Sequence, residues 1–202
     1  DILQYAGAVA TEVANGPSIA NDLKWGRADA PRIFCTGELQ LTMPDAMGGH
    51  KEGSNTFGSS NVQPRLNAVF FHTKTYFEDQ LGLGLQEWIA YLAGGHSIGG
   101  VKGLIQAKNH RFNFDATPAV LDNLYLHRVD RAHQTSLMSL CPQAHKPGHS
   151  HFWEPSDQTV FPDNANVPDV LIDTDVSLTT NGEAINIVRA LGHDQALFFQ
   201  YF

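Results

Sequence analysis

The chain has 202 residues, 42% apolar and 17% charged, with a formal net charge of −8, a size and composition that allow a substantial core within one domain. Its 13 Lys and Arg residues form no cluster, which argues against a nucleic-acid partner, because binding phosphates needs grouped cations. No apolar run reaches the roughly 20 residues of a membrane span, so no membrane partner is expected.

The chain opens on Asp1 without a basic, apolar leader, so no signal peptide is visible. Ile2, Leu3, Tyr5, Ala6, Val9, Ala10 and Val13 recur at helical spacing, and Asn15-Gly16-Pro17 stops that first helix. From Gly26 to Pro64 the text is rich in Gly, Pro, Asn, Ser and Asp without a sustained period, and it reads as ordered loop. Leu66 to Gly82 and Leu83 to Ala93 read as two helices, the second carrying Leu85, Trp88, Ile89 and Leu92 on one stripe that His96 continues. Leu104 to Phe112 is irregular. A short helix is expected within Thr117 to Arg131, begun by Thr117 as N-cap and Pro118 as first helical residue. Residues 132 to 170 read mostly as loop. The last signal, Gly182 to Phe202, is one helix or two broken near Gly192-His193-Asp194. Cys35 and Cys141 allow one disulfide at most.

Three stretches carry the functional reading. Gln86-Glu87-Trp88-Ile89-Ala90-Tyr91-Leu92-Ala93-Gly94-Gly95-His96-Ser97 ends an apolar helix face on a histidine followed by a serine. Asp1 to Ala10, with Gly16-Pro17 and Gly26 to Ala30, precedes it. Phe112-Asn113-Phe114-Asp115-Ala116-Thr117-Pro118-Ala119-Val120-Leu121-Asp122-Asn123 follows it. In this order and at nearly this spacing they resemble the plant-type haem peroxidases, most closely the secreted fungal, class II-like members. The resemblance spans most of residues 1 to 125 and thins beyond.

It implies a mainly α fold with long ordered loops, and residues 1–202 as a single haem-peroxidase-like domain. Both ends read as cuts. It also implies haem b with His96 as axial ligand, calcium, secretion, and hydrogen peroxide with a small aromatic reductant as substrates. A neutral imidazole is a good ligand for haem iron, and a carboxylate on its other nitrogen strengthens it. Asp175 is the candidate partner, with Asp173 the alternative if the two lie on an extended strand or turn. On pattern alone, His96 reads equally as a core histidine. Calcium wants six to eight oxygens. Asp115, Thr117, Val120 through its carbonyl, Asp122 and Ser97 offer them, while without the resemblance the same loop is an Asx/ST turn starting a helix. Phe114 sits where the family packs an aromatic against the histidine.

Subtype features are mixed. Where manganese-oxidising members carry an aspartate this chain has Lys102, which argues against a manganese site. Where members that oxidise bulky aromatics place a surface tryptophan it has Tyr91, a candidate radical site or an ordinary half-buried helix aromatic. Splitting peroxide needs a general acid–base and a cation on the far side of the haem. The family's arginine and histidine for that work are expected on a preceding helix, from an N-terminal fragment or second chain. Arg65 and His72 read as surface or helix residues. The competing reading is a non-catalytic peroxidase-like protein that binds haem or another ligand. A third candidate is a zinc or copper site at His145, His149 and His151.

Overall fold

The computed structural model describes residues 1–26, 62–102, 111–135, 138–140, 152–155 and 171–202. Both cysteines, the His145 to His151 loop and most of the Gly26 to Pro64 stretch lie outside them. The architecture is mainly α, as expected, with two small antiparallel sheets. Among the described residues no helix is long and apolar enough to cross a membrane.

Helix α1 spans Ile2–Val13 and ends as its sequence dictates. Asn15 takes φ 63°, Asn15 N–H bonds Glu12 O, and Gly16 N–H bonds Thr11 O, the paired bonds of a left-handed helix stop. The close approach there needs glycine, since a Cβ on Gly16 would stand 2.6 Å from a Leu121 methyl.

Helix α2, Val62–Lys74, begins two residues before the Pro64 end of the loop reading, with Pro64 in the first turn where no backbone N–H is needed. A π-helical turn, Thr75–Gln80, prolongs it. Helix α3, Leu85–Ile89, likewise passes into a π-helical turn, Ala90–Gly94. The wider turn shifts the phase of the apolar stripe. Its buried face runs through Trp88, Ile89, Ala90, Ala93 and Gly94, leaving Leu92 only partly buried.

The irregular stretch after Ser97 contains a short hairpin pair, β1 (Gly100–Lys102) with β2 (Arg111–Asn113). Helix α4, Leu124–Thr135, starts later than Thr117-Pro118. Thr117 is occupied elsewhere: its carbonyl accepts Val120 N–H in a turn, and its hydroxyl bonds Asp122. Asp122 Oδ1 then accepts the Leu124 N–H in an Asx turn that leads into the helix. Strands β3 (Met138–Leu140), β4 (Phe152–Pro155) and β5 (Leu171–Ile172) form a second sheet in order β3-β4-β5, the first two within the stretch expected to be mostly loop and the third just beyond it. Helix α5, Asp173–Ser177, follows β5 directly. The C-terminal signal resolves into two helices, α6 (Gly182–His193) and α7 (Gln195–Tyr201), with Asp194 at the break accepting the Leu197 N–H.

The core gathers Trp88, Phe77, Ile89, Leu121, Tyr125, Leu126, Val129, Ile172, Leu178, Val188, Leu191 and Phe198. Helix α4 lies against α6 so closely that a Cβ on Gly192 would stand 2.8 Å from His127 N and 3.0 Å from its Cα. Asn123 locks the crossing by donating to the carbonyls of Leu191 and Gly192 at 3.2 and 2.8 Å. Gly192→Ala is therefore expected to cost about 1–3 kcal/mol despite alanine's better helix propensity. A urea midpoint lowered without a change of slope would register it.

Candidate functional site

His96 sits in the turn just beyond the π-helical end of α3, its N–H bonded to Ala93 O. Its Nδ1 lies 3.0 Å from Asp175 Oδ2 and 3.2 Å from Oδ1, across 79 residues of sequence. Asp175 is fully buried in α5. The alternative, Asp173, rested on an extended segment. In a helix, residues two apart point about 200° from each other, so only one of the pair faces the imidazole. Phe114 covers the ring at a centroid distance of 4.6 Å, tilted 35°, and Tyr125 stands edge-on at 5.8 Å and 79°.

Burial disfavours a charged His96, but the charge and hydrogen bond of Asp175 outweigh it, so the imidazole pKa is raised. With the carboxylate ionised, the Nδ1 proton points at Asp175. Nε2, with no partner among the described residues, keeps its lone pair for a ligand. That is the arrangement a metal-bound histidine needs: one nitrogen oriented by a carboxylate, the other free.

Ser97, fully buried, begins the second cluster. Its Oγ accepts the Asp122 N–H at 3.2 Å and faces Val120 O at 3.4 Å. Asp115 Oδ1 accepts the Thr117 N–H at 2.8 Å, and the Thr117 hydroxyl donates to Asp122 Oδ2 at 2.9 Å. The fold thus brings Ser97, Asp115, Thr117, Val120 and Asp122 together beside the histidine. Gly99 N–H bonds Pro118 O at 2.7 Å, and Leu121 N–H bonds Ala14 O, tying the loop to α3's end and to α1.

Asp115 is the strained member. Buried completely, it leaves Oδ2 without a hydrogen-bond partner among the described residues. Its pKa rises from 3.8 to about 6, chiefly through burial and also through the charge of Asp122, against the opposing Thr117 N–H and Arg128. A buried carboxylate with a free oxygen and a second carboxylate nearby suits a hard cation. Among the described residues no group of three or more His, Cys, Asp or Glu side chains is placed to hold a metal. A cation here would therefore lean on Ser97, Thr117 and the Val120 carbonyl to complete its shell.

The other sequence candidates separate from the site. Tyr91 is 54% exposed on the helix ahead of His96, in ring contact with Phe77 at 6.2 Å and Phe202 at 6.5 Å. His72 is exposed on α2, as expected of a surface residue. One residue at the site escaped the sequence reading. Tyr125, fully buried, donates from its hydroxyl to Asp175 Oδ2 at 2.6 Å. Its only local signal is a polar tip inside the apolar Leu124-Tyr125-Leu126, and a buried tyrosine hydroxyl usually finds a partner.

No curated protein matches this chain. A family model for peroxidases matches residues 1–194, nearly its whole length. The chain belongs to the peroxidase family, in line with the plant-type haem peroxidases that its order of helix, histidine and loop resembles.

Proposed function

We propose that this chain supplies the proximal half of a haem peroxidase site, with His96 Nε2 on the iron, Asp175 on Nδ1, and calcium held by Ser97, Asp115, Thr117, Val120 and Asp122. Family membership carries the general chemistry: an oxidoreductase that uses hydrogen peroxide and a reductant, with haem as the group that accepts oxidising equivalents and passes them on. The observation that carries the finer reading is the His96–Asp175 pair, its carboxylate fully buried, with Nε2 left without a partner among the described residues.

Each residue then has a definable task. Asp175 fixes the imidazole's tautomer and rotation, and by pulling on the Nδ1 proton makes Nε2 a stronger donor. Phe114 holds the ring plane by packing. The calcium loop, bonded to Gly99 and to Ala14, fixes the turn that carries His96. Tyr91, exposed on the same helix, is the proposed surface point where an aromatic reductant delivers an electron. The acid–base work opposite the histidine falls to an N-terminal fragment or second chain that completes the domain. Secretion and the class II-like placement rest on the motif resemblance.

Titration of the protein with haemin, followed by addition of hydrogen peroxide and a phenolic donor, tests the reading. In a preparation that includes the N-terminal fragment or second chain completing the site, saturable haem binding with a histidine-ligated spectrum and peroxide-dependent donor oxidation are expected. Binding without oxidation would favour the non-catalytic haem-binding alternative, and no stoichiometric binding would overturn both.

A further inference from the structure

Asp175 serves two donors at once. Its Oδ2 is 3.0 Å from His96 Nδ1 and takes the Tyr125 hydroxyl at 2.6 Å. The direction of the second bond follows from the acceptor: an ionised carboxylate has no proton to give, so the phenol donates its single one. Tyr125 is fully buried, and its ring also meets Phe114 at 5.5 Å, edge-on at 71°. Helix α4, pinned to α6 at Gly192, thus delivers a neutral donor to the back of the His96–Asp175 pair.

We propose that Tyr125 is a positioning residue of the proximal site, whose hydroxyl draws charge from the Asp175 carboxylate and so sets how strongly His96 donates to the iron. This rests on the reading of His96 as the haem ligand. A carboxylate bonded by a second donor holds its negative charge more tightly and pulls less on the Nδ1 proton. Burial and the neighbouring charge of Asp175 hold the Tyr125 pKa well above its ordinary value, so the phenol remains a donor across the working pH range. Loss of the hydroxyl leaves the carboxylate more basic and the imidazole closer to imidazolate, a state that favours ferric iron.

The test is Tyr125→Phe in the haem-loaded protein, which keeps the ring and removes the bond. The expected result is a negative shift of the ferric/ferrous reduction potential and a rise in the iron–histidine stretching frequency of the ferrous form. Fluorotyrosine at position 125, a more acidic phenol in the same pocket, should move both readouts in the opposite direction and serves where the Phe variant folds poorly. A wild-type iron–histidine band that neither replacement moves would overturn this proposal alone. Absence of that band in the wild-type protein would overturn the ligand reading, and this proposal with it.

Discussion

His96→Ala is expected to abolish histidine-ligated haem binding. Changes to groups that merely orient a ligand cost roughly 10- to 100-fold in metal affinity, so removing the ligand should cost about 100-fold or more. Haemin titration read at the Soret band measures it. The substitution has a second consequence that must be read separately. It removes the Nδ1 donor from Asp175, which is fully buried and keeps the Tyr125 hydroxyl at 2.6 Å. Losing one partner of a buried acceptor costs about 1–3 kcal/mol. The variant should therefore be less stable without haem, yet folded. A folded His96→Ala protein that binds haem within a few-fold of wild type would show that the iron takes a different ligand.

Chelating calcium and replacing Asp115 by Asn should have opposite-signed effects on stability, and that inversion separates a cation site from an ordinary turn. In the metal-free protein the Asp115 pKa stands at about 6 against 3.8 unperturbed. The native state therefore holds a proton that the unfolded chain releases, and stability falls as pH rises from about 4 to about 6. The loss is on the order of 3 kcal/mol. Asp115→Asn removes the charge while its amide oxygen still accepts the Thr117 N–H, so without calcium at pH 7 it should be more stable than wild type. With calcium the gap closes, and the order reverses toward a thousand times the Kd, where the ion adds about 4.1 kcal/mol. At a free concentration a hundred times its Kd the ion adds about 2.7 kcal/mol to the wild type, or roughly 5–10 °C in Tm for a chain of this size. The variant should gain little. Because the ion competes with the Asp115 proton, wild-type calcium affinity should fall as pH drops through about 6. Melting curves with calcium and with chelator, at pH 5 and pH 7.5, measure all of this. A Tm indifferent to calcium in both proteins would mean that the loop is an Asx turn and no more.

How much was legible follows from the range of each interaction. His96, Ser97 and the Asp115 to Asp122 loop lie within 27 residues and carry local motifs, and the fold gathers them. The helix stop at Asn15-Gly16 is wholly local and was readable from residue type alone. Asp175 needed more, since the bond to His96 spans 79 residues and the choice over Asp173 depends on helical phase. The start of α4 was misplaced because Thr117, an N-cap by residue type, is engaged in the loop, and the helix opens only after the Asp122 turn. Strands β3, β4 and β5 have two to four residues each, too short to show a period of two. Tyr125 was invisible because nothing in its sequence neighbourhood announces a carboxylate that lies 50 residues away.

The most direct test of the His96–Asp175 account is the ferrous resonance Raman spectrum of the haem-loaded protein, made with unlabelled histidine and again with nitrogen-15 histidine. The account predicts an iron–histidine stretch that shifts with the label and vanishes in His96→Ala. A haem-loaded protein whose spectrum shows no label-sensitive stretch, or one that persists in His96→Ala, would contradict it.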